Sequence, residues 1–175
     1  MSVPQVLLLS GGEVSALLPP SLSLSAVEAA MRELAGGSGP PPGVLGLRLA
    51  DGGFHVKAAA LSTPSPYYAA KINANFPANP QQRGLPTIQG VLALFDATSG
   101  VLLALMDSIR ITALRTAAAT ALAARHLARR DASSLLVIGC GTQASYQVRA
   151  LRHVLPIARV EAHDIQPARA TALVQ

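Results

Sequence analysis

The chain has 175 residues, half of them apolar and 13% charged, which excludes disorder as its main state and leaves room for about one domain and a fraction. A single cysteine excludes an intramolecular disulfide framework and a cysteine-based zinc cluster, and the apolar share rests on 32 alanines rather than on aromatic rings, with no tryptophan. The net charge of +5 arises from 12 arginines and 2 lysines against 9 acids, dispersed so that no basic run exceeds Arg129–Arg130, which argues against a nucleic-acid surface.

Taken in chain order, Val6–Leu9 predicts a strand, followed by Gly11-Gly12. Residues 1–10 lack the basic start of a signal peptide, and no apolar run reaches the roughly 18 residues of a membrane span, so a cytoplasmic protein without membrane partners is expected. Ser25, with Glu28 three residues on, predicts a capping box that opens a helix with apolar Val27, Ala30, Met31 and Leu34 at helical spacing. The run GGSGPPPG at 36–43 ends it. Residues 44–61 predict two strands joined by a turn at Asp51-Gly52-Gly53. A loop at 62–68, a strand over Tyr68–Asn75 and a long polar loop at 76–86 follow. Gln89–Phe95 and Val101–Met106 predict a second hairpin, completing a strand-rich, mostly antiparallel unit.

The character then changes. Asp107 or Ser108 is placed to cap an alanine-rich helix reaching about Arg129, with Arg125, His126, Arg129 and Arg130 at the C-terminal end, where the helix dipole favours cations. Ser134–Ile138 reads as an apolar strand of a parallel sheet. A helix over about 143–155, a strand at Arg159–His163 and a helix opening on Pro167 follow. This β-α-β-α order predicts the opening of a doubly wound sheet. The expected fold is α/β: a strand-rich α+β domain over 1–115, then the N-terminal part of a Rossmann-type domain over 116–175.

Between the first of those parallel strands and its helix lies Gly139-Cys140-Gly141-Thr142-Gln143-Ala144, the GxGxxA form of the dinucleotide fingerprint. Gly139 permits the tight turn, Gly141 lets backbone approach a pyrophosphate, and Ala144 lets helix and strand pack closely. The helix N-terminus supplies amides for the phosphates. Asp164, 20 residues past Ala144 at the end of the next strand, is placed to accept ribose hydroxyls. Ile165 and Gln166 follow it, with no arginine for a 2′-phosphate, so NAD is expected over NADP. Cys140 reads as a small filler between the glycines. His55, His126, His153 and His163 match no ligand spacing, so no metal is expected.

Three cations interrupt otherwise apolar elements: Arg48, Lys71 and Arg115. Together they suggest a site for an anion, since arginine grips a carboxylate in bidentate fashion and lysine offers a point charge with an exchangeable proton. The segments K-x-N-x-N-F-P-x-N (71–79), G-L-P-T (84–87), T-A-L-R-T-A-A-A-T-A-L-A-A (112–124) and V-I-G-C-G-T-Q-A (137–144), in that order, resemble the ornithine cyclodeaminase/mu-crystallin family. The resemblance extends from about residue 20 to 175 and implies roles position by position. Arg48 matches the arginine that binds the substrate carboxylate, and Lys71 the lysine that faces the substrate and handles protons. Thr87 matches a cofactor contact. Arg115 lies between substrate carboxylate and nicotinamide, and Thr142, Gln143 and Asp164 match further cofactor contacts.

The activity implied is NAD-dependent interconversion of a small α-amino acid and its α-imino acid. It is expected to be ornithine cyclodeaminase-like, ending in ring closure with loss of ammonia, the first alternative being a ketimine or pyrroline-carboxylate reductase or an amino-acid dehydrogenase of the same family. A non-enzymatic, crystallin-like binder is the second alternative. A homodimer built on the first domain is also implied. Two departures qualify the match. Family members exceed 300 residues, and their catalytic aspartate lies beyond residue 175, so this stretch reads as a fragment or a short form, expected to aggregate or swap and to show no turnover alone. In addition, no acid occurs between Asp51 and Asp96, where family cyclodeaminases carry a carboxylate for the distal ammonium of ornithine. Lys57 stands there instead, either a surface lysine on an edge strand or a partner for a second anion.

Overall fold

The computed structural model describes residues 5–37, 40–62 and 65–175. The predicted loops at 36–43 and 62–68 each contain two residues, 38–39 and 63–64, that lie outside the described residues, as do the first four of the chain. Two compact units are present. The first comprises the chain up to Leu18 and Ala30–Ile111; the second comprises Pro19–Ala29 and Thr112–Gln175.

The first unit is built on six strands: β1 (Leu7–Leu9), β2 (Gly43–Leu49), β3 (Gly52–Leu61), β4 (Tyr67–Asn75), β5 (Ile88–Asp96) and β6 (Leu102–Asp107). Their order is β1-β6-β5-β4-β3-β2, antiparallel throughout except for β1, which lies parallel to β6. Successive hairpins explain the antiparallel run, because short connections can only return a strand beside its predecessor. The first turn begins one residue earlier than expected and is one residue shorter. Leu49 pairs with Gly52, so Ala50 and Asp51 make the turn and both glycines belong to β3. They are needed there: a β-carbon on Gly52 would lie 2.4 Å from the Asn75 carbonyl oxygen.

The capping box forms at a different place. Helix α1 (Gly11–Leu17) begins at Ser10, whose hydroxyl accepts from the Glu13 amide while the Glu13 carboxylate accepts from the Ser10 amide at 2.8 Å. The Ser10 hydroxyl also donates to that carboxylate at 2.7 Å, and this bond first, then the one from the Ser10 amide, holds the Glu13 carboxyl below its ordinary value. Ser25 is instead interior to α2 (Pro20–Ala35), its hydroxyl donating back to the Leu22 carbonyl, and Glu28 pairs with Arg125. A serine followed three residues on by glutamate occurs twice in this chain. Only the first follows residues that leave the strand conformation. The polar loop at 76–86 also contains a short helix, α3 (Asn79–Arg83), with Pro80 in its first turn and Gly84 in the left-handed conformation as its C-cap.

The second unit contains most of α4 (Ser108–Leu127), then β7 (Ser134–Ile138), α5 (Thr142–Val154), β8 (Arg159–His163) and α6 (Pro167–Val174). The strands β7 and β8 pair in parallel, Ser134 opposite Arg159 through Ile138 opposite His163. The alanines of α4 explain its packing. Ala113, Ala117, Ala118 and Ala121 are buried, as are Ala144, Val148 and Leu151 of α5. Leu114, Ala118 and Ala121 share a cavity of about 40 Å³ with Tyr146 and Ala150 of α5 and Leu24 of α2, so small side chains let the helices approach closely. On the sheet, Leu136 and Ile138 are exposed while Leu135 and Val137 are half-buried, as expected when one face of a two-stranded sheet is covered. Among the described residues no single helix is long and apolar enough to cross a membrane.

Candidate active site

Strand register decides which side chains of the first unit share a surface. Residues directly opposite in paired strands point to the same face, as do residues two apart along a strand. Arg48 lies opposite Gly53, Gly53 opposite Asn75, and Asn75 opposite Ile88. The next row is Gly46, His55, Asn73 and Gly90, and the one after it is Val44, Lys57, Lys71, Leu92 and Met106. Arg48 and Lys71 therefore stand on one face, two rows apart. That separation is about 14 Å along the strands, at some 3.4 Å per residue, and about 10 Å across them, since β2 and β4 flank β3.

The K-x-N-x-N motif is a period-two pattern. Lys71, Asn73 and Asn75 all rise from β4 onto this face, and the alternate residues Ile72 and Ala74 face the other way. Asn73 is held by the Ser108 hydroxyl, which donates to its side-chain oxygen at 2.8 Å, and Ser108 is fully buried. Gly90 makes this contact possible: a β-carbon there would come within 2.5 Å of the Asn73 side-chain oxygen and 2.7 Å of the Ser108 hydroxyl. The side-chain oxygen of Asn75 is buried and has no hydrogen-bond partner among the described residues. His55 lies across Gly46, whose missing β-carbon would meet the imidazole at 3.6 Å. Asn73, Asn75, His55 and Ser108 enter the sequence reading only as motif positions, a histidine without ligand spacing and a helix-cap candidate, with no site role; the alternation of polar residues in an otherwise apolar strand was the available signal.

The motif then turns away from the sheet. Phe76 packs edge-on against Phe54, and its amide donates to the Thr87 carbonyl at 2.8 Å. Asn79 is buried, donates to the Pro86 carbonyl and accepts from Arg83. Thr87 is thus half-buried at the start of β5, fixed through its backbone. The opposite face of the sheet is apolar and open: Leu8, Leu45, Leu47 and Ile72 are exposed by 71, 67, 60 and 44%.

In the second unit the expected loop residues come together. Gly139 has φ +90, a conformation that side chains rarely adopt, and its amide donates to the His163 carbonyl at 2.8 Å. Gly141 is the N-cap of α5 and provides no side-chain cap, and a β-carbon at Gly139 or Gly141 would meet no atom within 4 Å. The loop therefore presents an open cradle above a helix N-terminus flanked by Thr142 and Gln143. That fits a dinucleotide pyrophosphate. Asp164 borders it. One carboxylate oxygen accepts from the Cys140 amide at 2.6 Å and the other from the Gln166 amide at 2.8 Å. The Gln166 bond first, then the Cys140 bond, holds its carboxyl below the ordinary value, so it stays ionised with a lone pair on each oxygen left for hydroxyl donors. The Cys140 thiol lies 3.6 Å from the His163 carbonyl. Arg115 is exposed on the part of α4 that belongs to this second unit. Among the described residues no three His, Cys, Asp or Glu side chains group as a metal site.

A parallel strand, a glycine turn carrying the dinucleotide fingerprint and a strand-ending acid, joined in one chain to a strand-rich unit, define an α/β protein whose second unit opens as a Rossmann-type sheet. The chain belongs to the ornithine cyclodeaminase/mu-crystallin family, which it matches over residues 5–175. It is 36% identical over 170 residues to the alanine dehydrogenase of Archaeoglobus fulgidus, covering 97% of this chain and 52% of that protein. Among solved structures, an archaeal alanine dehydrogenase dimer with bound NAD superposes with a TM-score of 0.91 at 37% identity, over 97% of this chain and 52% of the other. The Δ1-pyrroline-2-carboxylate reductase of Thermococcus litoralis, solved with NADH and L-proline, follows at 0.88 and 32%, over 96% and 52%. The chain thus spans about half the length of these relatives, which are nicotinamide-dependent enzymes.

Proposed function

We propose that the protein uses NAD to interconvert a small α-amino acid and its α-imino acid, as a dehydrogenase or reductase. The observation that carries this reading is the placement of Arg48 and Lys71 on one sheet face beside Asn73 and Asn75. Arg48 would hold the α-carboxylate. Fixing the carboxylate orients Cα for reaction and removes much of the entropic barrier. Lys71 would exchange the proton at the substrate nitrogen. NAD, when bound, would supply the hydride chemistry, held in the second unit by the Gly139–Gln143 loop and Asp164. The ionised Asp164 would favour ribose hydroxyls and repel a 2′-phosphate, which supports NAD over NADP.

Ring closure with ammonia release needs a side chain bearing an amine. The three rows from Arg48 to Lys71 contain no carboxylate to hold one, which favours simple oxidation and reduction over cyclodeamination. The exposed apolar face through Leu45, Leu47 and Ile72 supports a homodimer, the state of the solved archaeal relative. The test is NAD reduction by a panel of amino acids alongside NADH oxidation with imino acids, using the full-length protein. Lys71→Ala should abolish turnover while NAD binds as before; an unchanged rate would remove Lys71 from the chemistry.

A further inference from the structure

The row between Arg48 and Lys71 contains one side-chain amide, that of Asn73, and the fold fixes which end of it is offered. Ser108, fully buried at the start of α4, donates its hydroxyl to the Asn73 side-chain oxygen at 2.8 Å. That hydroxyl is not needed to cap the helix, because Asp107 already accepts from the Ile109 amide at 2.9 Å. The oxygen end of the Asn73 amide is thereby engaged, and among the described residues its nitrogen end has no hydrogen-bond partner. The neighbours in the row leave room for one. Gly90 has no side chain, and a β-carbon there would come within 2.5 Å of the Asn73 oxygen and 2.7 Å of the Ser108 hydroxyl. His55, directly opposite Asn73, leans the other way: its imidazole lies near Gly46 on β2. Asn73 itself is half-buried rather than enclosed. Three elements, β4, β5 and α4, thus hold one amide with its donor end open on the face that carries Arg48.

We propose that Asn73 is a second donor to the substrate's α-carboxylate, and that Ser108 is the positioning residue that keeps its amide turned that way. This rests on the assignment of the α-carboxylate to Arg48 given above. Asn73 lies one row along from Arg48 and two strands across, about 12 Å between backbones at some 3.4 Å per residue and 4.8 Å per strand. That is within the combined reach of an arginine and an asparagine with a carboxylate between them. A carboxylate has about four lone-pair sites, so a guanidinium on one edge leaves acceptors for a neutral donor. The amide adds a bond from a second direction. It fixes the tilt of the carboxylate, and with it the direction in which Cα faces.

The probe is 2-aminoisobutyrate, an α-amino acid with no hydrogen on Cα to transfer, beside 2-aminoisobutyramide, which lacks the carboxylate. Each is titrated calorimetrically into the full-length protein with NAD present, so binding is read without turnover. Asn73→Asp is nearly isosteric and keeps an acceptor for the Ser108 hydroxyl, but puts an oxygen where the donor stood. It should unfold in urea at the wild-type midpoint, weaken the acid at least about 30-fold, the scale of one charge-assisted hydrogen bond, and leave the amide within about threefold. Ser108→Ala keeps the donor but lets it turn; it should weaken the acid by about fivefold, and by less than about twofold when Asn73→Asp is already present. Equal weakening of acid and amide in Asn73→Asp, an unchanged affinity for the acid, or the same Ser108→Ala effect in both backgrounds would overturn the proposal. Arg48→Met separates it from the reading it rests on. If Arg48→Met leaves the acid bound as before while Asn73→Asp weakens it, Asn73 stands and Arg48 does not; if Arg48→Met alone weakens it, the reverse holds. A wild-type protein that binds neither probe, or prefers the amide, would overturn both.

Discussion

The two glycines of the nucleotide loop should separate folding from cofactor binding. Gly141 has φ −75 and ψ −172, an extended conformation open to any residue, and a methyl group there meets no atom within 4 Å. In Gly141→Ala the lost freedom of the unfolded chain stabilises by about 0.4–1 kcal/mol. Alanine is a poorer N-cap than glycine by about half a kcal/mol. The two terms nearly cancel, so stability should stay within about 0.5 kcal/mol of wild type. The same methyl stands where a pyrophosphate must approach the backbone. NAD affinity should therefore fall at least ~100-fold, or about 2.8 kcal/mol at 1.4 kcal/mol per tenfold. Gly139→Ala behaves differently, because φ +90 strains any side chain and costs roughly 1–2 kcal/mol of folding. Urea unfolding and NADH fluorescence titration of the full-length variants give both numbers. If Gly141→Ala binds NADH within threefold of wild type, or unfolds more readily than Gly139→Ala, the cradle reasoning fails.

Two further outcomes follow from close contacts and from charge. Gly90→Ala drives a methyl to 2.3 Å from the Ile72 carbonyl oxygen and between Asn73 and Ser108; overpacking and the damaged hydrogen bond should cost about 2–4 kcal/mol in urea unfolding, and a neutral or stabilising result would contradict the register. Asp164 titrates below its ordinary 3.8, so the stability from its two amide bonds is complete above that value and is lost as pH falls through the lower folded one. The stability gap between wild type and Asp164→Asn should accordingly stay constant from pH 8 to pH 5 and close below about pH 4; a gap that changes between pH 6 and 8 would point to another group.

The nucleotide loop was legible in the sequence residue by residue. Its strand, glycines, helix start and terminal acid interact over short stretches of chain, and the spacing of Gly139, Gly141, Ala144 and Asp164 already encodes the geometry they adopt. The long α4 was legible for a similar reason, since alanine favours a helix wherever it stands and Asp107 caps the Ile109 amide locally. The lysine-asparagine motif announced itself as a strand, but not what its side chains would meet. Ser10 and Ser25 carry the same local signature, and only the chain's departure from β1 chose Ser10. The turn at Ala50-Asp51, the Asn73–Ser108 bond across 35 residues and the opposition of Lys57 to Lys71 depend on the pairing of five strands in one register. A slip of one residue would send each of those side chains to the other face. Composition and motif thus marked the glycine loop and the three cations as candidates. The sheet decided which cations share a surface, because that depends on hydrogen-bonded partners far apart in the chain.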